Sequence, residues 1–78
     1  MVLKEYYQIV PTDDGTTFLC YDKVKNKMFN VRKGDPKSPH TLVFESKENA
    51  DKWIEEYKLG NKYESEPFWS VLDYQTED

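Results

Sequence analysis

The sequence has little of what catalytic and metal-binding proteins use most: one cysteine, one histidine and three glycines in 78 residues. A structural zinc site takes about four Cys or His ligands, more than this chain contains. A nucleophile activated by histidine would have to use His40, which lies at the end of a predicted loop. The three scattered glycines form no phosphate-binding loop. We therefore expect no enzyme activity, no metal site and no cofactor.

Long hydrophobic runs are also missing. No apolar stretch approaches the roughly 18 residues that a membrane-spanning helix needs. Charged residues begin at Lys4, so the N-terminus lacks the apolar core of a signal peptide. A lone thiol, Cys20, has no intrachain disulfide partner and is expected to be a small buried apolar residue. These features predict a cytoplasmic protein that does not bind membranes.

Aromatic residues are abundant: six Tyr, four Phe and two Trp. Each ring can bury roughly 150–250 Å², so a few of them can build most of a small core. A length of 78 residues leaves room for one domain. We expect a single folded domain over residues 1–78, with the last few residues (76–78) frayed.

Short stretches rich in aromatic and β-branched residues alternate with turn signals through the first half of the chain. Asp14-Gly15 marks one turn, and a loop with glycine and two prolines follows the third stretch. The second and third strands should form an antiparallel hairpin, because so short a connection cannot cross over to a parallel neighbour. The predicted strands are residues 3–10, 16–21, 27–32 and 41–44.

The clearest pattern is a helix over residues 47–59. Ser46 is a good N-cap, and Gly60 stands where a glycine commonly ends a helix. Apolar side chains recur at i, i+3, i+4 and i+7, which places them on one helix face. Trp53, on that face, is expected to be a main core anchor. The four residues of this face are Ala50, Trp53, Ile54 and Tyr57.

Residues 68–74 follow a polar connection and form either a strand or a short helix that begins near Pro67. We favour the strand, which gives the order β-β-β-β-α-β. The fold class is then α+β: a small, mostly antiparallel sheet with one helix packed on one face.

The run Phe44-Glu45-Ser46-Lys47-Glu48-Asn49-Ala50, a strand end that enters a capped helix, resembles part of the N-terminal arm-binding domain of phage tyrosine integrases. Those domains place a helix after three antiparallel strands. The likeness covers seven residues, and the chain differs from that family in its acidic charge and in its extra segment after the helix. We assign no family and transfer no binding residue.

The net charge of −4 is unevenly distributed. Residues 22–40 carry six basic residues against two acids, whereas residues 41–78 carry four lysines against ten acids. If residues 23–27 are extended, alternate lysines share one face and could attract phosphates. Lysines on an exposed strand also protect its edge from aggregation. The candidate nucleic-acid-binding residues are Lys23, Lys25, Lys27, Arg32 and Lys33.

Aromatic and acidic side chains are interleaved in the C-terminal half. Exposed aromatic rings are typical of the residues that dominate protein interfaces, although these rings could equally belong to the core. The sequence favours a non-catalytic protein-binding module; by analogy this would be a small phage or mobile-element accessory protein that inhibits or adapts a host or defence protein. Nucleic-acid binding is the alternative, and a homodimer is compatible with the sequence. The candidate protein-binding residues are Tyr63, Glu64, Glu66, Phe68, Trp69, Asp73 and Tyr74.

Overall fold

A computed structural model of the chain describes residues 2–35 and 39–77. The predicted loop positions 36–38 and residue 78 lie outside these ranges. Of the end predicted to be frayed (76–78), Glu77 is instead fixed by its N–H, which donates to Val43 C=O at 2.8 Å. The regular elements are strands β1 (Lys4–Pro11), β2 (Thr17–Asp22) and β3 (Lys27–Arg32), helix α1 (Lys47–Glu56), a short 3-10 helix (Gly60–Lys62) and strand β4 (Tyr63–Ser70).

The strands form two antiparallel pairs. The first strand pairs with the last, β1 with β4, and β2 pairs with β3 as a hairpin. Residues 41–44 lie between the pairs and join them through two antiparallel bridges, Tyr7↔Phe44 and Cys20↔Thr41. These two sheets and one helix confirm the small α+β fold that the sequence predicts.

Three element boundaries differ from the prediction. Residues 41–44 make only isolated bridges, so the fourth predicted strand is not a regular strand. The last strand, predicted over residues 68–74, covers Tyr63–Ser70, because the polar stretch before Pro67 pairs with the buried strand β1. The helix ends at Glu56 rather than at residue 59.

The ends of α1 have defined caps. The Ser46 hydroxyl accepts a hydrogen bond from the Asn49 backbone N–H at 3.1 Å, as predicted for an N-cap. At the C-terminus, Lys58 N–H donates to Glu55 C=O and Leu59 N–H donates to Ile54 C=O. This pair of bonds is a Schellman motif, and it stops the helix before Gly60.

The core is supplied mainly by the strands and the bridging segment. One cluster gathers Ile9, Leu19, Leu42, Phe44 and Ala50 beneath the helix. Ala50 is the only buried residue of α1. A second cluster, on the opposite face of the strands, consists of Val10, Phe18 and Cys20, with Val31 packed against it.

Trp53 packs against the first core cluster, as predicted for its helix face, but it lies at the edge of that cluster rather than at its centre. It is half-buried and packs its ring between the core and solvent-exposed Tyr57, with ring centroids 3.9 Å apart. Its contact with the buried Phe44 is longer, 6.5 Å between centroids. The helix is held over the sheet mostly by small and half-buried side chains, because the strands already fill the centre.

No helix within residues 2–35 and 39–77 is both long and apolar enough to cross a bilayer.

Candidate protein-binding surface

Two of the predicted protein-binding aromatics are structural. Phe68 stacks on the buried Tyr6 with ring centroids 5.6 Å apart, and Tyr74 meets both rings edge-on at 5.4 and 5.7 Å. The Tyr6 hydroxyl donates to the Leu72 carbonyl at 3.3 Å and accepts from the Tyr74 backbone N–H at 3.4 Å. This aromatic group packs the chain after β4 against β1. Phe68 and Tyr74 therefore stabilise the fold rather than form an exposed binding surface.

Two other predicted residues are also engaged. Tyr63 packs against the core cluster beneath the helix. Glu66 forms an ion pair with Lys33 at 2.7 Å, and both side chains are partly buried. Lys33 belongs to the predicted nucleic-acid-binding set, so this one contact uses a residue of each candidate surface. Of the predicted protein-binding residues, Glu64, Trp69 and Asp73 are exposed.

Trp69 belongs to a group of exposed apolar side chains at one end of the β1–β4 pair. Trp69 is 61% exposed and lies opposite Glu5 in the register. The last paired residues are Lys4 and Ser70, and apolar residues continue both chains beyond them. We call this group the open-end cluster; its members are Val2, Leu3, Trp69, Val71 and Leu72, each at least half exposed.

The sequence prediction missed four members of the open-end cluster. Val2 and Leu3 open the chain, whereas Val71 and Leu72 lie near its end. Only the antiparallel pairing of the first strand with the last brings these segments together. The sequence shows that these four residues are apolar. That they lie together and exposed can be predicted only once the pairing of β1 with β4 is known.

Charged and polar residues are next to the open-end cluster in the strand register, where Lys4 is opposite Ser70 and Glu5 is opposite Trp69. Lys4 Nζ forms an ion pair with Glu45 Oε1 at 3.2 Å, and this hydrogen bond raises the pKa of the lysine. The Tyr7 hydroxyl donates to the Glu5 carboxylate, which raises the pKa of the tyrosine. An apolar centre with a polar border is the usual composition of a protein interface.

The predicted lysine stripe is not formed. Residues 23–26 make the turn between β2 and β3, and Asn26 adopts a left-handed conformation with φ of +53°. Asp22 closes this turn by accepting bonds from the Lys25 and Val24 N–H groups, which lower the pKa of its carboxyl. Lys23 turns away and pairs with Glu77 at 2.9 Å.

Three of the five predicted basic residues, Lys25, Lys27 and Arg32, make no ion pair within the described part of the chain. Lys27 and Arg32 lie at the two ends of β3, and Lys25 lies in the turn before it. The positive charge available for an anionic ligand is thus smaller than the sequence indicates, and it flanks a strand rather than covering a face.

The residues capable of chemistry are dispersed. Cys20 is buried, with its sulfur 3.7 Å from Thr41 Oγ1. The His40 ring meets Phe29 edge-on at 6.0 Å between centroids. Among the described residues, no three His, Cys, Asp or Glu side chains are grouped so that they could hold a metal ion.

A hollow of about 540 Å³ lies beside the 3-10 helix. One of its carboxylates, Asp14, is bonded to the backbone N–H and hydroxyl of Thr16, which lower the pKa of that carboxyl. Polar and apolar side chains both line the hollow: Pro11, Thr12, Asp13, Asp14, Asn30, Asn61, Lys62 and Tyr63.

Comparison with known proteins gives no significant match to a protein-family model, to a curated sequence or to a solved structure.

Proposed function

We propose that this chain is a protein-binding domain, without catalysis, and that its contact surface is the open-end cluster. The observation that carries the proposal is the exposure of Trp69 among other apolar side chains at the same end of the β1–β4 pair. A bordered group of exposed apolar residues is typical of an interaction site in a small protein.

Trp69 is the expected anchor of this surface. Tryptophan is enriched among the residues that dominate binding energy, because it buries a large area with few rotatable bonds. Glu64 and Asp73, the exposed acids of the predicted site, would then contribute to partner selection and association rate rather than to most of the affinity. In this form the domain acts by occupying a surface of its partner, as an inhibitor or an adaptor.

The structure gives less support to nucleic-acid binding, because two of the five predicted basic residues are in ion pairs with Glu66 and Glu77. We also propose a cytoplasmic location, which is supported by a single buried cysteine in place of a disulfide framework.

The test is photo-crosslinking in cells with a benzophenone amino acid at position 69 or 72. The control position is Lys52, which is exposed on the helix. We expect one reproducible protein adduct from positions 69 and 72 and none from 52. With the purified partner, Trp69→Ala should weaken binding by more than about tenfold, and Lys52→Ala should not.

Adducts of equal yield from all three positions, or none from 69 and 72, would refute the proposed surface. An adduct with nucleic acid that disappears at higher salt would instead favour the alternative function.

A further inference from the structure

Strands β3 and β4 differ in whether their unpaired edges could accept another strand. Within the described residues, β4 pairs only with β1, and β3 pairs only with β2. Each therefore has one edge whose backbone groups point away from the rest of the fold. Such an edge can accept an additional strand unless the sequence prevents it.

Hydrogen bonds fix which residues of β4 face outward. Tyr7 exchanges both backbone bonds with Phe44, at 2.8 and 2.9 Å, so it directs none toward its β4 neighbour, Pro67. The backbone of Pro67 consequently faces the outer edge, where it removes a donor. Glu64 adds negative charge to this strand, whereas Glu66 is paired with Lys33. The β4 edge is thus blocked at its centre.

The same reasoning applied to β3 gives an unblocked edge. Lys33 N–H donates to Thr16 C=O at 2.7 Å, which sets the alternation of the hairpin bonds. In that alternation Met28, Asn30 and Arg32 direct their backbone groups away from β2, and of these groups the Arg32 carbonyl already accepts from Asp35 N–H at 3.3 Å. Tyr21, opposite Met28, gives its N–H to His40 C=O, in agreement with this assignment. None of the outward residues is proline.

Charge on β3 is confined to its ends. Lys27 begins the strand and Arg32 ends it, with Lys25 in the preceding turn. The four residues between Lys27 and Arg32 are uncharged, and two of them, Met28 and Phe29, expose 38% and 37% of their area. Lysines protect an edge strand when they lie along it, whereas the central residues of β3 carry no charge.

We propose that β3 is a docking edge for an extended segment of a partner protein, with an apolar centre and carboxylates at both ends. The segment would add a strand next to β3 by exchanging backbone bonds with Met28 and Asn30 and by accepting a bond from the Arg32 N–H. Its carboxylates would lie near Lys27 and Arg32, and its apolar side chains near Met28 and Phe29. This edge is distinct from the open-end cluster, so it would be a second contact surface.

A second copy of the chain fits this edge poorly. Two β3 strands paired antiparallel about Asn30 would place Lys27 of each copy opposite Lys33 of the other. Pairing with the β4 edge of another copy would bring opposite charges together, but it meets the missing donor at Pro67.

The test uses a labelled peptide, acetyl-Glu-Val-Thr-Val-Leu-Glu-amide, and fluorescence anisotropy at about 150 mM salt, where exposed charges are largely screened beyond 8 Å. We expect saturable binding. The same peptide with N-methyl groups on alternate residues should lose more than roughly tenfold in affinity, since it retains the charges but lacks two or three backbone donors.

Variants of the protein provide an independent check. Asn30→Pro removes an outward N–H and leaves the backbone bonds to β2 in place; it loses only the side-chain bond from Asn30 Nδ2 to Thr17 Oγ1 at 3.4 Å. It should therefore abolish peptide binding while the circular dichroism is unchanged and the melting temperature falls only slightly. Lys27→Glu should weaken binding of the acidic peptide and strengthen binding of a peptide with lysines at both ends. The matched control is Lys52→Glu, on the exposed face of the helix, which should change neither.

The proposal would be overturned if the N-methylated peptide bound as well as the parent, because attraction would then be only electrostatic. It would also be overturned by absence of peptide binding to the folded wild-type protein, or by a wild-type dimer that Asn30→Pro dissociates. Loss of peptide binding in Asn30→Pro with unchanged crosslinking from position 69 would separate this surface from the open-end cluster.

Discussion

At the end of the helix, Lys58 adopts a backbone conformation that glycine takes without strain. Its φ is +55°, in the left-handed region. The Schellman bonds of Lys58 and Leu59 to Glu55 and Ile54 require that conformation at this position. A side chain with a Cβ costs roughly 1–2 kcal/mol there. The sequence placed the glycine two residues later, at Gly60, which is why the predicted helix was too long.

Lys58→Gly should therefore stabilise the protein, by about 0.5–1 kcal/mol after the greater entropy of glycine in the unfolded chain is subtracted. Chemical denaturation measures this change. Gly60→Ala is the matched control: φ at Gly60 is +64° and nothing lies within 4 Å of an added Cβ, so backbone strain alone should destabilise it by about 1 kcal/mol. A less stable Lys58→Gly variant would contradict the capping assignment.

Neighbouring aromatic residues of β4 show what sequence can predict about a site. Alternation along a strand already separates Phe68 from Trp69, which point to opposite faces. It does not say which face another segment covers. Tyr6 and Tyr74 cover Phe68, and they do so only because β1 pairs with β4 and the chain then folds back. Trp69 was therefore identified as a candidate, but its exposure could not be derived.

At the scale of elements, three carboxylates stabilise the turns and the helix in their ionised form. The Thr16 hydroxyl and N–H lower the pKa of Asp14, and the Lys25 and Val24 N–H groups lower that of Asp22. In α1, hydrogen bonds from Lys47 and Ser65 lower the pKa of Asp51. Because these folded-state pKa values lie below the unfolded value of about 3.9, the unfolded chain binds protons first as pH falls.

We accordingly expect the melting temperature to be insensitive to these groups above about pH 5, and to fall as the pH drops through 4 toward 3. Calorimetric scans at pH 6, 4 and 3 measure this. Asp22→Asn keeps an acceptor oxygen but cannot titrate, so its melting temperature should fall less than that of wild type over this range. Equal losses in both proteins would show that Asp22 does not contribute.

The sequence predicted whether a segment is a strand or a helix better than it predicted where that segment begins and ends. The hairpin and the helix start follow from local signals, namely turn residues and the Ser46 cap. Residues 41–44 match a strand in composition, but they lie between two strand pairs and contact each through a single bridge. Strand β4 begins in a polar stretch because its extent is set by the length of its partner β1. Both outcomes depend on tertiary pairing, which local sequence does not contain.

Across the whole molecule, the basic and acidic segments are separate in the sequence but lie close together in the fold. Lys33 meets Glu66 and Lys23 meets Glu77, so the hairpin and the C-terminal part partly neutralise each other. Segment charges of +4 and −6 therefore overstate the field of each surface. We therefore propose two binding surfaces. One is the edge of β3 with the charges that remain near it, and the other is the open-end cluster.

The chain after β4 closes the molecule and is expected to be essential to its stability. It supplies the Leu72 carbonyl and the Tyr74 ring to Tyr6, and Glu77 N–H donates to Val43 C=O at 2.8 Å, although this end was predicted to be frayed. A chain truncated after Ser70 should lose about 2–4 kcal/mol, because the ring contacts, their buried area and these hydrogen bonds all disappear.

Urea unfolding of the truncated chain measures this loss, and Tyr74→Ala should reproduce part of it by removing the ring alone. Tyr74→Phe, which keeps both ring contacts, is the control and should change stability by less than about 0.5 kcal/mol. If the truncated chain were as stable as wild type, residues 71–77 would not close the fold. The Val71 and Leu72 positions of the open-end cluster would then be unanchored, and a binding surface built there would lack the rigid support on which its affinity depends.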